Sequence, residues 1–182
     1  MSEYQWLLFL PQLPSVPSSL RVAVWRRLRA WGATGLQNGV WVLPFGNENR
    51  RLLEELLREI KAQNGNGLIM QASPLEPALN LEIVARFQAD RDQEYSEFCE
   101  RCEGLLAELA KETSQHKLTF AELEENEQDL HKLRTWLEKI TARDSFGSHL
   151  ASQAQSALTQ CQQALAVFAR AVYHQAGLAT ED

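Results

Sequence analysis

Arg21, Trp25, Arg26 and Arg29 stand close together near the start of the sequence. On a helix, spacings of four place Arg21, Trp25 and Arg29 along one flank, so two guanidinium groups bracket one indole and Arg26 lies beside them. That set suits nucleic acid, because guanidinium grips phosphate with paired N–H donors and indole stacks on a base or on the guanidinium itself. A second reading of the same residues has Trp25 packing against the C-terminal half of the chain and the arginines pairing with its many glutamates.

Cys99 and Cys102 form a C-x-x-C pair, a spacing that binds zinc or cycles redox state when it lies in a loop or at a helix start. Here it falls inside a predicted helix, and no second pair accompanies it. His116, His131, His149 and Cys161 are scattered without ligand spacing, so buried or idle thiols are expected, with no metal and no cofactor. The run Glu122 to Glu127 spreads around a helix and lacks the Glu-x-x-His repeats of a di-iron bundle, which makes it a solvated face. Asn126 is its odd member, a polar residue at an otherwise apolar spacing, where it would fix helix register. A metal nuclease would need a carboxylate where the first strand ends, and Leu10-Pro11 stands there. There is no Gly-rich phosphate loop and no nucleophile elbow, and no enzyme is expected.

The chain has 182 residues, 45% apolar and 23% charged, which fits a globular protein and does not fit a disordered one. No apolar run approaches the roughly 20 residues that cross a bilayer, and Met1-Ser2-Glu3 lacks the basic start of a signal peptide. The expected address is the cytoplasm, with no membrane partner, and the three cysteines are expected to be reduced. The net charge of -6 divides unevenly: residues 1–77 hold 8 Lys/Arg against 6 Asp/Glu, and residues 78–182 hold 10 against 18. Attraction to phosphate must therefore come from a local basic patch in the first part.

The elements that would position these groups follow from pattern. Tyr4 to Leu10 reads as a buried strand ending at Pro11, and Pro11 to Ser18 as a loop. Ser18 or Ser19 caps a helix whose Leu20, Val24, Leu28 and Trp31 lie within about 80° of arc, and Gly32 ends it. Ala33 to Gln37 and Val40 to Leu43 flank Asn38-Gly39, the signal of a type I′ hairpin. Asn47 or Asn49 caps a second helix, Arg50 to Gln63, the following glycines stop it, and Leu68 to Ala72 is the last strand. The order is βαββαβ, that of a ferredoxin-like domain. Beyond Pro74 and Pro77 the pattern turns helical, with helices predicted from Asn80 to about Ser114, after a Thr119/Glu122 capping box, and from about Leu150. The predicted fold class is therefore α+β: a ferredoxin-like domain over 1–77 and an antiparallel three-helix bundle over 78–182. Trp6, Trp31, Trp41 and Trp136 read as core or interface aromatics.

The run Arg21-Val22-Ala23-Val24-Trp25-Arg26-Arg27-Leu28-Arg29, followed by Leu36-Gln37-Asn38-Gly39-Val40-Trp41-Val42-Leu43-Pro44, resembles the N-terminal domain of the chromate resistance protein ChrB family. Arg86-Phe87 through Glu94-Tyr95, Phe120 through Glu127, and Lys139 through Gly147 resemble the helical half of the same family. The hairpin is also similar to the ferredoxin-like domain of PaaX-type repressors and of the small CRISPR-associated spacer-integration protein. The ChrB resemblance implies a transcriptional regulator of a chromate-resistance operon, with this chain supplying a DNA-binding, homodimerising half. Its implied partners are operator DNA, a second copy of the chain and a separate chromate-sensing domain. The alternative is an interaction scaffold whose acidic helical half docks another protein without touching DNA.

Overall fold

The computed structural model describes residues 4–16 and 18–178. Met1–Glu3, which carry the signal-peptide reading, and Pro17, inside the predicted loop, lie outside them. The elements are β1 (Trp6–Gln12), α1 (Ser18–Ala30), β2 (Thr34–Gln37), β3 (Val40–Pro44), α2 (Asn47–Ala62), β4 (Asn66–Ala72), α3 (Pro77–Ser114), α4 (Phe120–Ala142) and α5 (Ala151–Gln175). The described residues form an α+β fold with one four-stranded antiparallel sheet and five helices.

It divides into two compact units, one holding the chain through Asp90 together with Arg143–Phe146, the other holding Arg91–Ala142 and the chain from Gly147 onward. The division falls inside α3, thirteen residues beyond Pro77. The physical reason is that the first turns of α3 bury Ile83 and Phe87 against the sheet residues Trp6 and Val42.

In the first unit the sheet order is β2-β3-β1-β4. Because side chains alternate across a strand, Leu7 and Phe9 face α1 and α2, where they meet Leu20, Val24, Leu28, Leu53, Leu56 and Ile60. Each such side chain, once fully buried, contributes about 1.5–3 kcal/mol. Trp6 faces the other way, stacked on Phe87 with ring centroids 5.7 Å apart and an interplanar angle of 12°, and its indole N–H donates to Asn80 Oδ1 at 2.8 Å. Phe146 closes this cluster. Arg86 donates to the carbonyls of Gly35 at 3.4 Å and Leu36 at 2.9 Å, which ties α3 to β2.

Several local expectations need correction. β1 does not stop at Pro11 but runs to Gln12, pairing Pro11 with Gly67 and Gln12 with Asn66. Its register with β3 ends at Phe9↔Trp41, so by Pro11 the strand has a neighbour on one side alone and proline's missing N–H costs no ladder bond there. The Asn38-Gly39 turn joins a hairpin, but Gly39 alone has positive φ (77°), and the register shifts between Gly35 and Gln37, so the turn is not type I′. Gly46, with extended backbone and no side-chain cap, precedes α2 in place of an asparagine cap, and Asn49 instead donates to the Pro44 carbonyl at 2.9 Å. At the other end of α2, Asn64 rather than a glycine takes the left-handed position (φ 60°), while the Gly65 N–H returns to the Ile60 carbonyl at 2.9 Å. Gly32 ends α1 as expected, with φ 78° and the Ala33 N–H bonded to the Leu28 carbonyl at 2.9 Å.

In the second unit, Phe98, Cys102, Leu105 and Leu109 of α3 pack with Leu123, Leu130, Leu133 and Leu137 of α4 and with Leu158, Cys161, Leu165 and Phe168 of α5. The Thr119 hydroxyl accepts the Glu122 N–H at 3.3 Å and starts α4. Asn126 lies buried in this seam, where its amide donates to Glu112 Oε2 and to the Glu122 carbonyl, each at 2.8 Å. Burial, the largest effect, raises the Glu112 pKa, and the neighbouring Glu122 raises it further, while the Asn126 hydrogen bond lowers it. Ser148 donates to Asp92 Oδ1 at 2.5 Å and accepts the Leu150 N–H at 3.0 Å, which fixes the start of α5. His149 also reaches Asp92, at 3.4 Å, but a serine that donates to the aspartate is not the arrangement of a nucleophile.

Candidate nucleic-acid interface

Residues 4–47 contain no Asp or Glu, and their charged side chains are Arg21, Arg26, Arg27 and Arg29, all on α1. Burial of Leu20, Val24 and Leu28 against the sheet turns the opposite flank of the helix outward. An exposed helix flank carrying only positive charge is a local source of positive potential in a chain of net charge -6.

The four arginines are nevertheless not equivalent. Arg26 is exposed, and its side chain has no ion pair or hydrogen bond among the described residues. Arg21 is exposed and donates to the Ser15 carbonyl at 3.0 Å, a bond that leaves most of its donors available. Arg27, which pattern reading did not single out, pairs with Glu59 of α2 and lies 5.4 Å from the centre of the Trp31 ring. Arg29 meets Asp90 Oδ2 at 3.0 Å, and the same oxygen accepts the Thr34 hydroxyl at 2.6 Å. It is half-buried and committed to that junction.

Trp25 is 53% exposed, so the α1 flank offers an open indole beside Arg21 and Arg26. Val22, 44% exposed, adds an apolar neighbour. Arg21, Trp25 and Arg26 are thus brought together on one accessible surface, while Arg29 is drawn toward Asp90. A flank of this kind has the chemistry to hold a phosphate pair and stack a base or sugar between. The signal that would have separated the arginines lies at Glu59 and Asp90, too distant in sequence to read. The acid-free stretch 4–47 was legible and adds to the case.

The three thiols belong to the core of the second unit. Cys102 and Cys161 are buried, with the Cys161 thiol donating to the Cys102 carbonyl at 3.4 Å. Burial and then the neighbouring Cys161 push Cys102 up to about 12, and burial raises Cys161 as well. Cys99 is half-buried and is raised by burial and by Glu103. Among the described residues no group of three or more His, Cys, Asp and Glu side chains is placed to hold a metal ion. Among the described residues no helix is long and apolar enough to cross a membrane.

A family model described as "Protein ChrB, N-terminal" matches residues 21–179. A curated relative, "Protein ChrB" of Cupriavidus metallidurans, is 31% identical over 96 residues, covering 53% of this chain and 29% of the relative. The chain is thus aligned to under a third of that relative's length. No solved structure matches the chain.

Proposed function

The chain belongs to the family of the N-terminal part of protein ChrB, and from that premise we propose that it is a chromate-resistance regulator whose α1 flank contacts operator DNA. The observation that carries the reading is the exposed set Arg21, Trp25 and Arg26 in a stretch of 44 residues, 4–47, without a carboxylate. Arginine would neutralise phosphates and release counterions, which supplies affinity, and Trp25 would stack against sugar or base. Arg29 takes the role of a positioning residue, holding the end of α1 against Asp90.

In this reading the first unit is a ferredoxin-like domain, supported by its βαββαβ order and its β2-β3-β1-β4 sheet, and α3 to α5 form an antiparallel three-helix bundle. The role is non-enzymatic and cytoplasmic, the chain acts as a homodimer, and chromate sensing belongs to a separate domain. The test is fluorescence anisotropy with the upstream region of its own operon against a random duplex of equal length at fixed salt. Operator preference of about a thousandfold or more supports regulation, equal binding leaves general DNA affinity, and no binding removes the DNA reading.

The alternative, a protein-interaction scaffold, draws on the acidic balance of residues 78–182, 10 Lys/Arg against 18 Asp/Glu. Failure of the helical region to recover any protein partner in a pull-down would count against it.

A further inference from the structure

A groove of about 580 Å³ runs between α3 and α4, and its lining comes from those two helices alone. Leu105, Leu133 and the half-buried Trp136 give it apolar walls. On the rim, Asp129 and Lys132 satisfy each other at 2.7 Å. Glu100, Glu108 and Arg101 have no ion pair among the described residues, so the unmet charge is two carboxylates against one guanidinium.

Gly104 stands between Glu100 and Glu108 on the groove wall. A Cβ added there would meet nothing within 4 Å, so no neighbour in this chain requires a glycine. Glycine inside a helix nevertheless costs roughly 0.5–1 kcal/mol relative to alanine. Its effect is to lower the wall between the two glutamates, which leaves room for a side chain from outside.

The chain itself carries a surface of the opposite kind. On α1, Arg21, Val22, Trp25 and Arg26 form an exposed apolar and cationic flank. From Arg21 to Arg26 the flank runs five residues, about 7.5 Å of helix, and Glu100 and Glu108 stand eight residues, about 12 Å, apart, a difference taken up by the long arginine side chains. A short amphipathic helix laid along a two-helix groove is a common recognition mode, and the overall charge, +2 over residues 1–77 and -8 over 78–182, favours this pairing at long range.

We propose that the α1 flank of one copy seats in the α3–α4 groove of a second copy, with the Trp25 indole over Gly104 against Trp136 and with Arg21 and Arg26 meeting Glu100 and Glu108. The seat takes the same side chains as the DNA reading, so a given flank holds either the groove or DNA, and association measured without DNA tests the seat alone.

Sedimentation equilibrium of the full chain over a wide concentration range tests it. Wild type should self-associate, and Trp25→Ala should weaken association about 30-fold, the effect of losing a central aromatic anchor. Gly104→Leu fills the groove while removing a helix-interior glycine, so association should vanish while the melting temperature holds or rises. R21E/R26E and E100R/E108R should each be monomeric alone and associate when mixed, because the mixture restores opposite charge at both contacts. The proposal is overturned if wild type stays monomeric throughout, if Gly104→Leu associates like wild type, or if the two charge-reversed variants fail to associate on mixing.

Discussion

Replacing Arg21 and Arg26 together by alanine separates the DNA reading from a structural one. Both side chains are exposed and lie off the buried Leu20, Val24 and Leu28 stripe, so the fold should be unaffected. If each arginine neutralises one phosphate, the slope of log K against log salt falls by about 0.9 per contact, about 1.8 for the pair. Between 50 and 200 mM salt that difference makes wild type lose about twelvefold more affinity than the variant. Arg29→Ala is the matched control: it breaks the 3.0 Å pair with Asp90, whose partners are each about one-quarter exposed, and should lower stability by no more than about 1 kcal/mol with little change in slope. Anisotropy titrations at several salt concentrations, with a thermal melt of each variant, read both quantities. An unchanged slope in the double variant, or an equal slope loss in Arg29→Ala, would refute the assignment of phosphate contacts to Arg21 and Arg26. Early melting of the double variant would return those arginines to a structural role.

Gly32→Ala should lower stability by about 2 kcal/mol, or about 4–8 °C in a thermal melt, because φ is 78° there and the added Cβ would lie 2.9 Å from the Arg143 carbonyl oxygen. Glu112 has a pKa raised in the fold, so its contribution to stability is fully present below its unfolded pKa and is lost as pH rises through the raised one. Glu112→Gln keeps an acceptor for Asn126 and stays neutral, so its melting temperature relative to wild type should increase from pH 4 to pH 8; a constant difference would refute the linkage. With Cys102 pushed up to about 12, about one thiol in ten thousand is ionised at pH 8, and iodoacetamide should leave it and Cys161 unmodified in the folded chain while labelling Cys99 slowly, as mass spectrometry would show.

The sequence made the elements legible where local chemistry decides them. Leu20, Val24 and Leu28 repeat at helical spacing and are buried, and Gly32 stands where a left-handed residue must end α1. Asn126, at an apolar spacing, is buried and bonded across to Glu112. Reading failed where a neighbour decides. Pro11 continues β1 because β3 has already ended alongside it, and Asn49 turns back to Pro44 because Gly46 has taken the position before α2. Neither outcome is encoded within a few residues of the position concerned.

The same distinction governs the site. Arg21, Arg26, Arg27 and Arg29 share one helix and one residue type, and helical periodicity can say only which of them point away from the core. Whether a guanidinium is available to a ligand depends on what carboxylate meets it, and those carboxylates, Glu59 and Asp90, are 32 and 61 residues from their arginines along the chain. Glu59 reaches Arg27 because α1 and α2 lie on the same sheet face, where they share a core with Leu7 and Phe9. Asp90 reaches Arg29 because the start of α3 belongs to the first unit, where Thr34 holds the same carboxylate. The fold therefore sorts four chemically equal side chains into two that are held and two that are offered, and the offered pair flanks the exposed indole of Trp25.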